Sequence, residues 1–444
     1  MFRYKNYLLC VLVLILACNY LDRIALGLLL QNIKNDLGMS DTQLGLLSGI
    51  AFALFYAVMG IPIARWADRG NRVTIIAATT ALWSVTVALC GTAGTFIQLM
   101  CIRVGVAVGE AGCFPPAYSL IADHFSRAER PRAVAIYMLG IPLSMVGGFF
   151  FAGWMNELFG WRTTFMILGM PGLFLAALSW ATLREPRCGS SPAADSLQSQ
   201  MFDTRTSPQH PNVRAVCMTL WANRTFRHLL VGWSVLSFFG YGIWQWQPAF
   251  FVRTYGLQTG ELGTWFAIIW GGGGLLGTLL GGELASRHAP HNESLQLKAL
   301  AVVYCGFGAL STCMYLSQSL YLALTLMGIS AIGITTANGP FFATIQTLIP
   351  ERMRAMAISL IYLFANLIGM GLGPLVAGML SDAFQPIVGG ESLRYALLAL
   401  SPGYLWGAWH LWKASETINE DLNLAPAAFS QDEPTTLKKR ARTH

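Results

Sequence analysis

An all-α protein that crosses a membrane twelve times is predicted by three features: apolar runs of membrane length, basic residues confined to alternate connections, and a polar stretch separating two sets of six runs. Of 444 residues, 54% are hydrophobic and only 11% charged, too little polar surface to cover a soluble globule. A run of about 20 apolar residues spans a bilayer as a helix.

The first six runs are approximately 7–30, 43–66, 73–94, 96–122, 133–158 and 163–183; the second six are 229–252, 262–284, 297–316, 320–348, 355–380 and 395–411. The start, with Leu16, Ala17 and Cys18, resembles a lipid-modified leader. The apolar run nevertheless continues past Cys18 to Leu30, as a first span does. Between the sets lies a polar stretch with Pro186, Pro192, Pro208 and Pro211. The expected organisation is a six-helix bundle over 1–184, a cytoplasmic linker over 185–227, a second bundle over 228–414 and a cytoplasmic tail over 415–444. That tail ends in Lys438, Lys439, Arg440 and Arg442 and reads as a solvated end whose removal leaves function intact.

Arg3 and Lys5 precede the first span; Arg65, Arg69 and Arg72 follow the second, Arg127, Arg130 and Arg132 the fourth, and Arg352 and Arg354 the tenth. Short loops rich in Lys and Arg stay in the cytoplasm, which places both termini there. The net charge of +7 is thus a topology signal, with no nucleic-acid partner implied. Nine cysteines are scattered without a CxxC or Cys/His cluster, so neither a disulfide framework nor a metal site is expected. No GxSxG, HExxH or phosphate-binding loop is present, which argues against an enzyme, and no cofactor is called for.

Four charged residues interrupt the apolar runs: Asp22 and Arg23 in the first, Arg103 and Glu110 in the fourth. Each costs about 2.5–3.5 kcal/mol to insert, and such residues face the bundle interior, where they mark substrate or proton pathways. Arg103 and Glu110, seven apart, share a helix face about 10 Å apart. Asp22 lies at a similar depth, so Asp22, Arg103 and Glu110 are expected to form one group for proton coupling: a buried carboxylate changes its proton occupancy as an arginine approaches or leaves. A fixed ion pair tying two helices is the alternative. Arg23, about 100° around the helix from Asp22, is expected to point elsewhere, toward an anionic head group or the outer interface.

The seventh run carries Tyr241, Gly242, Trp244, Gln245, Trp246 and Pro248. Its aromatics and Gln245 suit an amphiphile, with Thr336, Asn338 and Phe341 of the tenth run as the facing wall. An interfacial aromatic belt is the competing reading.

The two sets of runs repeat each other. Glu129, Arg130, Pro131, Arg132, Ala133 before the fifth span recurs as Glu351, Arg352, Met353, Arg354, Ala355 before the eleventh. Ala67, Asp68, Arg69 after the second is echoed by Ala285, Ser286, Arg287 after the eighth. Parallel repeats of six helices, with a site between the halves, characterise one large transporter class.

With Gly60, Asp68, Arg69 and Arg72 around the second connection, the chain resembles the major facilitator superfamily, although Asn71 stands where a basic residue is usual and Ser286 replaces the acid in the second half. Asn19, Tyr20, Leu21, Asp22, Arg23, with Arg103, Gly109, Glu110 and Ala111, resembles the Spinster family of lipid transporters more specifically. The resemblance implies the major facilitator fold, alternating access, and a lysophospholipid or sphingoid phosphate moved with protons past Asn19, Tyr20 and Arg23. A monomer is expected, and the absence of a cleavable signal or long external loop suits a bacterial inner membrane. A small organic anion or drug is the alternative cargo. Asp68, Arg69 and Arg72 are expected to latch onto the opposite half and hold the outward-open state.

Overall fold

The computed structural model describes residues 2–186, 213–289 and 292–429. Most of the expected linker and the basic end of the tail lie outside them. The twelve spans are α1 (Phe2–Leu37), α2 (Asp41–Arg69), α3 (Arg72–Cys90), α4 (Phe96–His124), α5 (130–159), α6 (161–182), α7 (Arg224–Tyr255), α8 (Thr259–His288), α9 (Glu293–Leu316), α10 (Leu320–Leu348), α11 (351–388) and α12 (392–429). A short helix, Val213–Ala222, precedes α7.

Nine stretches among the described residues are long and apolar enough to cross a membrane. Two of them, Arg130–Thr182 and Met356–Asn423, hold two spans each. The helix α7 falls short because Gln245, Gln247 and Arg253 dilute its apolar content. The turn between α5 and α6 falls at Gly160, whose φ of 76° lies in the left-handed region that only glycine enters readily. Wide π-helical turns, Ala267–Gly272 in α8 and Ala365–Leu372 in α11, mark the C-terminal half.

The last helix runs to Phe429, well past the point where a tail was expected. Ile418 is fully buried, and Asp421 accepts a hydrogen bond from the Thr225 amide at 2.8 Å, capping the start of α7. Buried contacts of this kind keep the segment helical although it is polar enough to read as solvated.

The two halves close on each other at the face opposite the termini, called the distal face. Asn156 Nδ2 of α5 donates to Thr259 Oγ1 of α8 at 2.9 Å, the Gly260 amide donates to Glu157 at 2.8 Å, and Trp154 Nε1 donates to Thr264 Oγ1 at 3.1 Å. Across the other seam, Arg253 of α7 grips Asp41 with two hydrogen bonds of 2.7 Å, joined by Lys34 and Ser381 at 2.6 Å each. Asp382 of α11 accepts from the first amides of α2, Asp41 and Thr42, at 3.0 and 2.7 Å. Its charge therefore sits at a helix N-terminus, where the dipole favours it.

Glycines let the backbones touch along these seams. A Cβ at Gly263 of α8 would collide with the Phe149 carbonyl of α5. Gly263→Val is therefore expected to destabilise the distal-closed conformation by about 1–3 kcal/mol. A cysteine introduced at Asn156 should then react at least about fivefold faster with a distal impermeant reagent; an unchanged rate would show that this contact does not close the seam.

Candidate functional site: a four-charge cluster beneath a closed distal face

The charged residues of α1 and α4 meet inside the N-terminal half. Arg103 Nη1 donates to Asp22 Oδ2 at 2.7 Å, and both side chains are buried. Arg23 Nε donates to Glu110 Oε2 at 2.6 Å, with Glu110 fully buried. This corrects the expectation for Arg23. The 100° step from Asp22 leaves both residues within reach of α4, because that helix runs alongside α1 and an arginine is long enough to bridge the difference. The cluster is two ion pairs side by side, Asp22 with Arg103 and Glu110 with Arg23, and its four charges sum to zero.

The two carboxyl groups also lie within electrostatic range of each other. Asp22 Oδ1 and Glu110 Oε1 have no hydrogen-bond partner among the described residues. Carboxylates this close repel, and the two paired arginines offset that repulsion.

Arg23 is enclosed as well as paired. Its guanidinium carbon lies 4.8, 4.6 and 4.9 Å from the ring centres of Tyr20, Phe52 and Tyr56. Such cation–π contacts contribute about 0.5–2 kcal/mol each and hold the group without consuming all its donors. Tyr20 is fixed edge-on by Phe114 at 6.3 Å.

Around this cage the halves part. Tyr118 of α4, Tyr241 of α7 and Tyr362 of α11 come from both halves and lie within electrostatic range, Tyr362 of both the others. They remain 39%, 36% and 48% exposed. Side chains from both halves that stay this accessible beside the cage mark a cleft between the halves, and with the distal face closed the cleft lies toward the face carrying the termini. Tyr241 also lies within electrostatic range of Tyr20 and Arg23, which joins the aromatic cage to the C-terminal wall.

Other expected site residues are placed differently. Trp246 is fully buried and donates to the Pro374 carbonyl at 2.9 Å. Phe341 is fully buried and stacked on Trp233 at 3.9 Å. In this conformation both belong to the packing of the C-terminal half and do not reach the cleft. Gln245 lies buried against Gly27 of α1, and Trp244 is edge-on to Phe149 and Trp270 at the seam of α7, α5 and α8. Thr336 is part of helix packing, its hydroxyl donating to the Gly277 carbonyl of α8 at 3.0 Å, while Asn338 is exposed. Asn19 is fully buried, one turn before Asp22, and neither polar atom of its amide is hydrogen-bonded.

The basic connection also departs from expectation. Arg72 is buried and bonds within its own half: to Asp123 at 2.6 Å, to Ser119 at 2.8 Å, and to Glu185. It ties α3 to α4 and to the end of α6, whereas a latch onto the opposite half was expected. Asp68 and Arg69 are exposed. Near by, Lys5 and Ser126 hold the Glu129 carboxyl down to about 2. Its share of stability is lost only as pH falls through that value, so it stays ionised near neutrality and cannot act as a pH sensor there.

Sequence reasoning did not single out Phe52, Tyr56, Tyr118 or Tyr362, nor the Asp41–Arg253 latch. Aromatic residues inside apolar runs carry no distinguishing signal. The latch did leave one: Arg253 and Lys34 are among only four basic residues near the distal connections, with Arg162 and Arg394.

Twelve helices in two halves that close on each other at one face, with two buried ion pairs inside the first half, are the architecture of a membrane transporter. The chain belongs to the Major Facilitator Superfamily, whose model matches residues 12–374. It is 33% identical over 414 residues to an MFS-type efflux pump of Mycolicibacterium smegmatis, covering 93% of each chain. Its fold matches the crystal structure of a bacterial homologue of the human lysosomal transporter Spinster, in an inward-facing and unoccupied conformation. There the TM-score is 0.81 at 30% identity, covering 94% of this chain and 98% of that one. It is also 25% identical to protein spinster of Drosophila melanogaster over 389 residues, 83% of this chain and 60% of that protein. The chain is thus a Spinster-like member of the superfamily.

Proposed function

We propose that this transporter works by alternating access in a bacterial inner membrane, with both termini cytoplasmic, and moves an amphipathic anion of the lysophospholipid or sphingoid phosphate kind together with a proton. The observation that carries the reading is the paired, caged Arg23. An anionic head group entering from the cleft competes with Glu110 for its guanidinium, and phosphate suits the bidentate geometry of that group. The released Glu110 then shares a proton with Asp22. Loaded with a proton the cluster has a net charge of +1, which one anionic head neutralises; without it the cluster is neutral and lets the anion go.

The aromatic surfaces of Tyr20, Phe52, Tyr56 and Tyr241 suit the apolar part of such a cargo. The roles divide in space: proton work in the N-terminal half, shape selection shared with the C-terminal half. The basic connections on the terminal face support a cytoplasmic orientation, and the conformation is then inward-open. The family it belongs to and the solved structures it matches are transporters, which supports transport over an enzymatic reaction.

Uptake of labelled lysophosphatidic acid or sphingosine 1-phosphate into proteoliposomes should rise severalfold on imposing a pH gradient. A gradient-driven flux of small organic anions or drugs with no lipid flux would replace the cargo, and the name of the mycobacterial relative favours that second reading.

A further inference from the structure

A second feature lies on the outer surface of the C-terminal half. An apolar groove of about 290 Å³ runs between α9 and α12. Ala301 and Ala408, each only 2% exposed, form its floor, and their small side chains are what leave it open. Val302 and Cys305 make one wall, and Leu405, Trp409 and Trp412 the other.

Lys298 stands one turn from Ala301 on α9, toward the terminal face, with its ammonium 5.8 Å from the Trp412 ring centre. It has no ion pair among the described residues. Glu416, which lies within electrostatic range, is already bonded to Lys413 at 2.8 Å. Trp406, Trp409 and Trp412, spaced by three along α12, are 55%, 51% and 43% exposed. Tryptophans and a snorkelling lysine mark the depth at which head groups lie.

We propose that this groove is a binding site for one anionic phospholipid of the surrounding bilayer, its acyl chain lying over Ala301 and Ala408 and its phosphate paired with Lys298. The charge selects the occupant: a zwitterionic lipid fills the groove equally well but brings no net charge to the lysine, and a packed protein partner would have to bury that lysine unpaired. The site faces away from the central cleft, so its lipid is a resident of the membrane and not the cargo.

Native mass spectrometry of the purified protein titrated with phosphatidylglycerol and phosphatidylcholine of matched chains tests this. Wild type is expected to bind phosphatidylglycerol about fivefold more tightly, the factor equivalent to about 1 kcal/mol per basic residue at an anionic surface. Lys298→Ala should equalise the two lipids, Lys298→Arg should keep the preference, and Val302→Trp, a change at an exposed wall, should weaken both by blocking the groove. Equal binding by wild type, a preference surviving Lys298→Ala, or binding unaffected by Val302→Trp would each overturn the proposal.

Discussion

Glu110→Gln is expected to reduce gradient-driven transport to the background of protein-free vesicles while folded yield stays close to wild type. Glutamine keeps the shape of the side chain and can still offer an oxygen to Arg23, so the cage around the guanidinium has little reason to collapse. What it removes is the alternation of charge. With Asp22 ionised, the variant cluster carries a fixed net charge of +1 and imitates the proton-loaded state at every pH. Anion binding should therefore no longer differ between an acidic and an alkaline buffer, whereas wild type weakens as the proton leaves. Exchange of labelled for unlabelled anion, which requires no proton release, should persist. Binding titrations at the two pH values, combined with net flux and exchange in the same vesicles, separate these effects; a variant that retains pH-driven net flux would remove Glu110 from the coupling role.

Arg103→Leu is expected to give the largest loss of stability. It strands the Asp22 carboxyl, 1% exposed, without its partner, and breaking a buried pair from one side costs about 3–5 kcal/mol. The companion variant Asp22→Asn/Arg103→Leu removes the stranded charge and should recover a part of that loss, giving a coupling of about 0.5–3 kcal/mol in a double-mutant cycle. Thermal unfolding in detergent reads all four proteins of the cycle: wild type, Asp22→Asn, Arg103→Leu and the double variant. Strictly additive losses would mean that the 2.7 Å contact between these residues contributes nothing.

Much of this architecture was legible because a bilayer punishes charge. Asp22, Arg103 and Glu110 stood out in apolar runs, and helical spacing put Arg103 and Glu110 on one face, about two turns apart, with Asp22 near them in depth. Pairing was not legible, since spacing along one helix says nothing about how far an arginine on a neighbour can reach, and Arg23 took the acid that had been assigned to a different triad. The same limit explains Trp246 and Phe341. An aromatic run reads alike whether it faces a cavity or a core, and only the packing of α7 against α11 for Trp246 and against α10 for Phe341 decides which. The distal latch failed for another reason. Ser40, Asp41, Thr42 and Gln43 form a capping box that explains itself locally, with Ser40 accepting from the Gln43 amide and Gln43 returning the bond. A segment that satisfies its own backbone gives no hint that Asp41 also holds Arg253 more than two hundred residues away.

The zero sum of the buried cluster has an electrical consequence. Carrying one elementary charge across a potential of 100 mV is worth about 2.3 kcal/mol, a force that any carrier changing its net charge on loading must feel. In the proposed cycle the empty carrier and the carrier holding both proton and monoanion differ by nothing in net charge. The membrane voltage then performs no work on either crossing, and the driving force reduces to the difference in proton activity and the concentration ratio of the cargo. Such a transporter would keep its capacity in a depolarised cell so long as the pH difference survived.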